Sequence, residues 1–259
     1  MNAPDRAQRA AQFLLGLRRA GPRPRSLPAE LAPQNEQEAY QVQRELCHAL
    51  AAQVGAWKVA VSSPDQGTSA PIFADQLHAS PARVACLISD SLGIEPEVAF
   101  SLRHDLPGLP HGARYRREEL IDAIDAAYAA IEIVVSRFQS HDGAAPLDRL
   151  ADNISNGGLV LGAPCRDWRR LDLRTLPLRL TIHSPDGTRA EHASRGGHPL
   201  GDPLVALLWL VNDRARAGAG IRAGEPITTG SYAGLRYAAR GARVAVEFAG
   251  LGAATLEVS

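Results

Sequence analysis

Three glutamates in apolar segments are the first candidates for a functional site. Glu95 and Glu97 stand two residues apart in the apolar run IEPEVAF, so a strand there would place both carboxylates on one face. Pro96 between them lacks an N–H donor, which suggests an edge strand or a distorted one. Glu132 lies in AAIEIVVSRF, where both faces are apolar, so we expect it to be buried. A buried carboxylate requires a proton or a cation, because an unpaired charge is costly there.

Three partners could satisfy the buried carboxylate: Arg137, Lys58 or a metal ion. The three glutamates together form an all-oxygen set of ligands, which suits a hard divalent ion such as Mg²⁺ or Mn²⁺. The alternative is a network of arginine and glutamate side chains that holds no metal. The motif E-x-E on a strand is common, so the residues alone leave both interpretations open.

Lys58 is the one lysine of the chain, since the other 27 of its 28 basic residues are arginines. It lies in GAWKVAVS, an apolar run with strand propensity, where a solvated cation is not expected. Burial can bring the pKa of a lysine into the working range of an acid or base, whereas a guanidinium stays charged. Lys58 is therefore a candidate catalytic residue, and a lysine that reaches from a strand end to solvent is the alternative.

Two polar, glycine-containing segments could line a binding site. The segment ADNISNGG offers Asp152, Asn153 and Ser155 in a short turn before a strand. The segment ITTGSYAG places Thr229 and Gly230 where a strand ends, and glycine there lets backbone N–H groups approach an anion. Ordinary turns are the alternative for both segments.

The helices and strands that carry these residues are predicted from the hydrophobic periodicity. Four helices are predicted, at 5–19, 36–54, 117–129 and 203–217. Strands are predicted at 56–61, 83–88, 94–101, 130–136, 157–162, 177–183, 187–191, 226–229, 243–248 and 253–258. The pattern therefore indicates a helical segment over 1–54 and a mixed, β-rich domain over 55–259. Strands and helices do not alternate regularly enough for a doubly wound fold.

Composition excludes several classes of protein. The 28 basic and 28 acidic residues give a net charge of zero, so no positive surplus is available for a nucleic-acid backbone. No run reaches 18 apolar residues, which excludes a transmembrane helix. P-loop, GxGxxG, GxSxG and HExxH motifs are absent. Three scattered cysteines and an N-terminus unlike a signal peptide lead us to expect a cytoplasmic protein.

Six segments stand in an informative order: GAWKVAVSS, IEPEVAFSLRHDLP, REELIDAIDAAYAAIEIVVSRF, ADNISNGGLVLG, GDPLVALLWLVNDRARAGAGIRAGEPITTGSY and FAGLG. This order resembles the 2-keto-4-pentenoate hydratase and 4-oxalocrotonate decarboxylase group of the fumarylacetoacetate hydrolase superfamily. The resemblance implies an α+β fold built on a mixed β-roll, with Mg²⁺ or Mn²⁺ as cofactor. It also implies a homo-oligomer, and a complex with a related decarboxylase or hydratase is compatible with it.

The resemblance also assigns roles to individual residues. It implies that Glu95, Glu97 and Glu132 bind the metal and that Lys58 transfers a proton. The positions that it assigns to substrate binding are Asp152, Asn153, Ser155, Thr229 and Gly230. The implied substrate is a small 2-oxo or 2-hydroxy unsaturated acid.

The activity implied by the resemblance is hydration of 2-hydroxy-2,4-dienoates to 4-hydroxy-2-oxo acids, as in the meta-cleavage of aromatic compounds. Decarboxylation of 2-oxo-hex-3-enedioate is the nearest alternative, and C–C bond hydrolysis ranks third because no histidine motif for it is present. A non-catalytic partner subunit is the alternative of another class. It rests on two departures from the group's pattern, Ala60 in place of glycine and Val135 in place of aspartate.

Overall fold

The computed structural model describes residues 3–19 and 21–259. The helices in these ranges are α1 (Ala3–Gly16), α2 (Glu36–Ala49), α3 (Arg117–Ala123), α4 (Pro146–Ala151) and α5 (Pro203–Arg216). Asn35 caps α2 by accepting a hydrogen bond from the backbone N–H of Glu38. No helix in the described ranges is both long and apolar enough to cross a membrane.

The described chain also forms strands that make two sheets. The strands are β1 (Val54–Ser63), β2 (Gln66–Phe73), β3 (Leu77–Ala79), β4 (Ala82–Val84), β5 (Ser91–Leu102), β6 (Ile124–Val134), β7 (Asn156–Leu161), β8 (Pro177–His183), β9 (Arg189–Arg195), β10 (Ile227–Ser231), β11 (Arg236–Ala239), β12 (Arg243–Phe248) and β13 (Gly252–Val258). The larger sheet runs β2-β1-β10-β5-β6-β7-β3, and β11 also pairs with β5. The smaller sheet runs β4-β13-β12-β8-β9. Because parallel and antiparallel pairs occur in both, the predicted mixed α+β class is confirmed.

The main hydrophobic core joins the two sheets and α5. Ile131 and Ile133 of β6 share one cluster of buried side chains with Val246 of β12 and Leu207 of α5. Apolar contact on both sides fixes β5 and β6 at the centre of the molecule. These two strands carry the three glutamates, so the site is built on rigid elements.

A second hydrophobic cluster ties the N-terminal helices to the rest of the chain. Leu14 of α1 and Leu46 of α2 pack in one cluster with Phe138, Leu150 and Ile154. Leu150 lies in α4 and Ile154 in the turn that follows it, so α1 and α2 support that turn. The boundary between residues 54 and 55 stays a prediction.

The prediction of a helix over 117–129 is wrong for residues 124–129. α3 ends at Ala123, and the chain continues directly as β6 from Ile124. Tyr128, expected on a helix face, instead pairs with Ala99 of β5. The cause is that β6 is apolar on both faces, and such a run cannot be told from a buried helix by periodicity.

Other boundaries also differ from prediction. α1 and α2 end at Gly16 and Ala49, earlier than residues 19 and 54. The strand predicted at 83–88 is confined to β4, which ends at Val84. Strands β2, β3 and β11 were not predicted, because each is short or rich in small and polar residues.

Pro96 does not lie at a sheet edge, which corrects that expectation. β5 is paired with β6 on one side and with β10 and β11 on the other. The register between β10 and β5 shifts between Thr228 and Ser231, which pair with Ala99 and Glu97. Pro96 itself pairs regularly with Ile131 of β6, and its carbonyl oxygen accepts a hydrogen bond from the N–H of Tyr232, just beyond the end of β10. The missing N–H of Pro96 therefore falls in the gap between β10 and β11.

Candidate metal centre and active site

The three glutamates meet at the centre of the larger sheet. Glu95 and Glu132 are paired directly across β5 and β6, and Glu97 lies two residues along on the same face. One carboxylate oxygen from each lies within 4.8 Å of the other two. Glu97 and Glu132 are 2% and 3% exposed, whereas Glu95 is partly exposed. The cluster is therefore buried except on the side of Glu95.

Burial and mutual repulsion make this cluster costly without a cation. Burial, followed by the charge of Glu132, raises the pKa of Glu95 to about 7. Burial and then the charges of the other two glutamates raise the pKa of Glu97 well above its usual range. A divalent cation would remove both penalties, and three carboxylates form a hard oxygen site of the kind that Mg²⁺ and Mn²⁺ prefer. The residues therefore fit the predicted metal.

Lys58 is the cation that the structure places beside the cluster. β1 holds it in register with Thr228 of β10, and it is 4% exposed. Its Nζ donates to Oε1 of Glu132 and to the carbonyl oxygen of Ile154, the latter at 2.9 Å. The alternative of a lysine reaching solvent is therefore wrong. Among the three partners considered for Glu132, the structure selects Lys58 over Arg137.

Arg137 forms a second buried ion pair, with Asp152. The two residues are 2% and 0% exposed, and Nε of Arg137 lies 2.5 Å from Oδ1 of Asp152. The guanidinium also donates to the carbonyl oxygens of Asp152 and Asn156, at 2.9 and 2.8 Å. Arg137 thus holds both ends of the 152–156 turn, and the Asp152 carboxylate is directed to it.

The 152–156 turn has an unusual backbone. Asn153, Ile154 and Ser155 are all in the left-handed region, with φ of 52°, 53° and 55°. Each non-glycine residue there costs roughly 1–2 kcal/mol, more for a β-branched one, so the surrounding contacts must hold the turn in place. The result of this conformation is that the carbonyl of Ile154 points at Lys58.

The Asn153 side chain within this turn lacks partners. It is fully buried, and neither Oδ1 nor Nδ2 has a hydrogen-bond partner among the residues that the structure describes. A buried amide without partners is rare and needs an explanation such as a bound water or ligand. Asn153 is thus the residue of the predicted substrate set with free polar atoms.

The late loop contributes Thr228 and Gly230 to the cluster. The hydroxyl of Thr228 and the backbone N–H of Gly230 both donate to Oε2 of Glu97, the latter at 2.8 Å. The hydroxyl of Thr229 donates instead to the carbonyl oxygen of Val98, at 2.8 Å. Thr228 was missed, although strand alternation could have found it, because residues 228 and 230 share a face.

His141 is a second residue that the sequence did not reveal. Its Nδ1 lies 2.9 Å from Oγ of Ser155, in the turn that contacts Lys58. Burial, followed by the positive charges of Arg149 and Lys58, lowers the pKa of His141 to about 4, against an opposing effect of Asp142. His141 follows β6 in an irregular loop, and no spacing or motif marked it.

The low pKa of His141 leads to a prediction about acid stability. The unfolded histidine titrates near 6.5 and the folded one near 4, so the unfolded chain binds more protons between these values. This contribution to stability is present above pH 6.5 and is lost progressively as the pH falls towards 4. His141→Gln should therefore be less stable than wild type at about pH 7.5, and the gap should close or reverse at about pH 5. Urea unfolding at both values measures it, and a gap independent of pH would contradict the assignment.

The carboxylate cluster leads to a prediction about metal binding. Glu97→Gln should weaken Mg²⁺ binding at least about tenfold by calorimetry, because one charged ligand is lost. The metal-free variant should be at least as stable as wild type, because the repulsion that raises the pKa of Glu97 is removed. Glu118→Gln, on an exposed turn of α3, is the matched control. Equal Mg²⁺ affinity in wild type and Glu97→Gln would rule out this ligand set.

The fold has a counterpart among solved structures. The 4-oxalocrotonate decarboxylase from Pseudomonas putida G7, complexed with magnesium and adipate, matches with a TM-score of 0.78 over 98% of both chains. Sequence identity is 22%, so this likeness shows the fold alone. The shared fold confirms the predicted β-roll with its small helical N-terminal part.

Curated relatives match about three quarters of the sequence. The TodF product hydratase of Pseudomonas putida is 34% identical over 203 residues, which are 76% of this chain and 69% of that protein. A 2-keto-4-pentenoate hydratase of Burkholderia vietnamiensis is 34% identical over 204 residues, 77% and 69% of the two chains. No protein-family model matches. The chain belongs to the 2-keto-4-pentenoate hydratase family, as the order of its motifs predicted.

Proposed function

We propose that the protein is a Mg²⁺- or Mn²⁺-dependent hydratase that converts 2-hydroxy-2,4-dienoates to 4-hydroxy-2-oxo acids. The observation that carries this proposal is the bond between Lys58 and Glu132, because it joins a proton-transferring group to a three-carboxylate cluster in one buried site. Membership in a family of hydratases supports the reaction class.

The carboxylate cluster would hold the cation. When bound, the cation supplies Lewis-acid stabilisation of negative charge on the 2-oxygen of the substrate. Thr228 and Gly230 orient Glu97 through Oε2, and Lys58 orients Glu132 through Oε1. These bonds fix two of the three ligands before any substrate arrives, which is the preorganisation that such a site needs.

Lys58 would move the proton that the reaction requires. Tautomerisation takes a proton from the 2-hydroxyl and adds one to carbon, which gives a conjugated 2-oxo acid that then adds water. A lysine ammonium has three donors, and two of them are directed to Glu132 and Ile154. The third is available to the substrate, and the two fixed bonds hold it in one direction.

The other predicted substrate residues fall into two groups. The amide atoms of Asn153 have no hydrogen-bond partner among the described residues, and the hydroxyl of Ser155 forms a hydrogen bond with His141. We propose that Asn153 and Ser155 contact the substrate or the added water. The structure directs the polar groups of Asp152, Thr229 and Gly230 to Arg137, Val98 and Glu97. For these three we propose a positioning role, in which they hold the turn and the metal ligands.

Product identification by mass spectrometry tests the proposal. The purified protein with Mg²⁺ is mixed with 2-hydroxypenta-2,4-dienoate and, separately, with 2-oxo-hex-3-enedioate, each with and without EDTA. The expected result is the gain of one water by the first substrate, abolished by EDTA, and no change in the second. Loss of carbon dioxide from the second would make the protein a decarboxylase instead. No reaction with either would favour the non-catalytic subunit.

We also propose that the protein is a homo-oligomer, as the family resemblance implies, and that it is cytoplasmic, as its cysteine content and N-terminal pattern suggest. Two large apolar side chains, Leu87 and Tyr237, are 76% and 60% exposed. Burial in a contact between subunits would remove them from water. Light scattering after size-exclusion chromatography would give the number of subunits, and a monomer would contradict this part of the proposal.

A further inference from the structure

A small cavity lies beside the end of α1. Its volume is about 90 Å³, and its walls include Arg18, Gln76, Val135, Arg137 and Gly157. The lining residues do not include the three glutamates of the proposed metal centre or Lys58. The cavity is therefore a feature of the structure that the proposed reaction does not use.

Arg18 brings into this cavity a charged side chain that has buried donors without partners among the described residues. Its Nε and Nη2 atoms are buried, and neither has a hydrogen-bond partner among those residues. The centre of the Phe73 ring lies 5.3 Å from the guanidinium carbon of Arg18. The ring attracts the cation, but it does not accept hydrogen bonds from N–H groups in the guanidinium plane. Burial, followed by the charge of Arg137, lowers the pKa of Arg18 to about 10, which leaves it charged at neutral pH.

Two more guanidinium groups lie close to the cavity. Arg137 lines it and is paired with Asp152, and Arg23 donates to the carbonyl oxygen of Ile88, another lining residue. After burial, the charge of Arg137 is the largest influence that lowers the pKa of Arg23. Three cations thus face two carboxylates, the buried Asp152 and the exposed Asp75, and both of these raise the pKa of Arg18 against the other effects. An excess of one positive charge remains around the cavity.

We propose that this cavity binds a small oxyanion, of the phosphate or carboxylate class. Guanidinium groups bind the oxygens of such anions through paired, charge-assisted hydrogen bonds. Since a water molecule occupies about 30 Å³ of liquid, the cavity has room for about three, which suits an ion of this size. Val135 forms an apolar wall and supplies no competing acceptor. The anion would supply the partners that the buried donors of Arg18 lack.

Calorimetry with inorganic phosphate, at constant ionic strength, tests this site. Wild type should bind one phosphate per chain with saturation, and Arg18→Met should bind at least about tenfold more weakly because charge-assisted donors are lost. Arg19→Met is the matched control, since Arg19 is the neighbouring arginine and is exposed. It should bind phosphate like wild type. Absence of saturable binding in wild type, or equal weakening in the two variants, would overturn the proposal.

A second variant places a carboxylate inside the cavity. Val135→Asp should abolish phosphate binding, because its side chain would pair with the guanidinium groups in place of the ion. In phosphate-free buffer this variant and Arg18→Met should both have an unfolding temperature at least equal to that of wild type. Undiminished phosphate binding by folded Val135→Asp would show that the cavity is not the site.

The anion can come from two sources, which competition distinguishes. Phosphate binding is measured with adipate, a six-carbon dicarboxylate, in the presence and absence of Mg²⁺. If adipate displaces phosphate only with Mg²⁺ present, the site receives the far carboxylate of an acid held at the metal centre. Displacement that is independent of Mg²⁺, or absent, supports a site for a free anion. This outcome does not depend on the hydratase activity, so the two proposals can fail separately.

Discussion

Substituting methionine for Lys58 is expected to lower kcat by about two to four orders of magnitude, because the reaction loses its proton-transferring group. The ammonium is buried and bonded to Glu132 and Ile154, so water cannot take its place readily. The methionine side chain has a similar length and no charge. The variant should therefore keep the fold and bind Mg²⁺.

The lysine-to-arginine variant separates charge from proton transfer at the same position. Lys58→Arg keeps a cation beside Glu132, but a guanidinium does not release its proton in the working range. Steady-state rates with 2-hydroxypenta-2,4-dienoate should show a similar large fall in kcat for both variants, and Mg²⁺ calorimetry should show that both still bind the metal. Near-normal kcat in either folded variant would refute proton transfer by Lys58.

Substituting methionine for Arg137 is expected to lower the free energy of unfolding by about 3–5 kcal/mol. Asp152 is fully buried, and burial already raises its pKa against the opposing effect of Arg137. Removing the arginine leaves that carboxylate without its cation and frees the 152–156 turn, which is in the left-handed region. Urea unfolding at neutral pH measures the loss.

The paired variant tests whether the lost stability comes from the unpaired charge. Removal of both partners, as in Arg137→Met with Asp152→Leu, should recover much of the loss, because the burial penalty disappears with the charge. A double variant as unstable as the sum of the two single variants would show that the hydrogen bonds to the turn, and not the ion pair, dominate.

The charged residues of the site could be predicted because charged side chains are rare in apolar segments that become buried. Glu132 between two apolar faces, and the single lysine in an apolar strand, both require partners, and the structure brings them together. Strand alternation also placed Glu95 and Glu97 on one face without any knowledge of the sheet order. These inferences use only local pattern and the cost of buried charge.

The rest depended on tertiary contacts that local pattern does not contain. The first part of β6 was predicted as a helix, because an apolar run that is buried on both faces fits the helical and the strand periodicity equally well. His141 and the carbonyl of Ile154 enter the site only through the path of an irregular loop and a turn in the left-handed region. The sequence predicted a turn at ADNISNGG but not its conformation, because a β-branched residue such as Ile154 rarely adopts a positive φ. No motif marked the loop that carries His141.

The position of Lys58 has a practical consequence for spectroscopy. Because the chain has one lysine, protein labelled with nitrogen-15 at the lysine side chain should give a single ammonium resonance. Burial and two fixed hydrogen bonds slow proton exchange with water, which is the condition for observing such a signal. Its chemical shift would follow the charge of one amine as metal and substrate are added. The proton that the reaction moves could thus be observed directly, without assignment of any other residue.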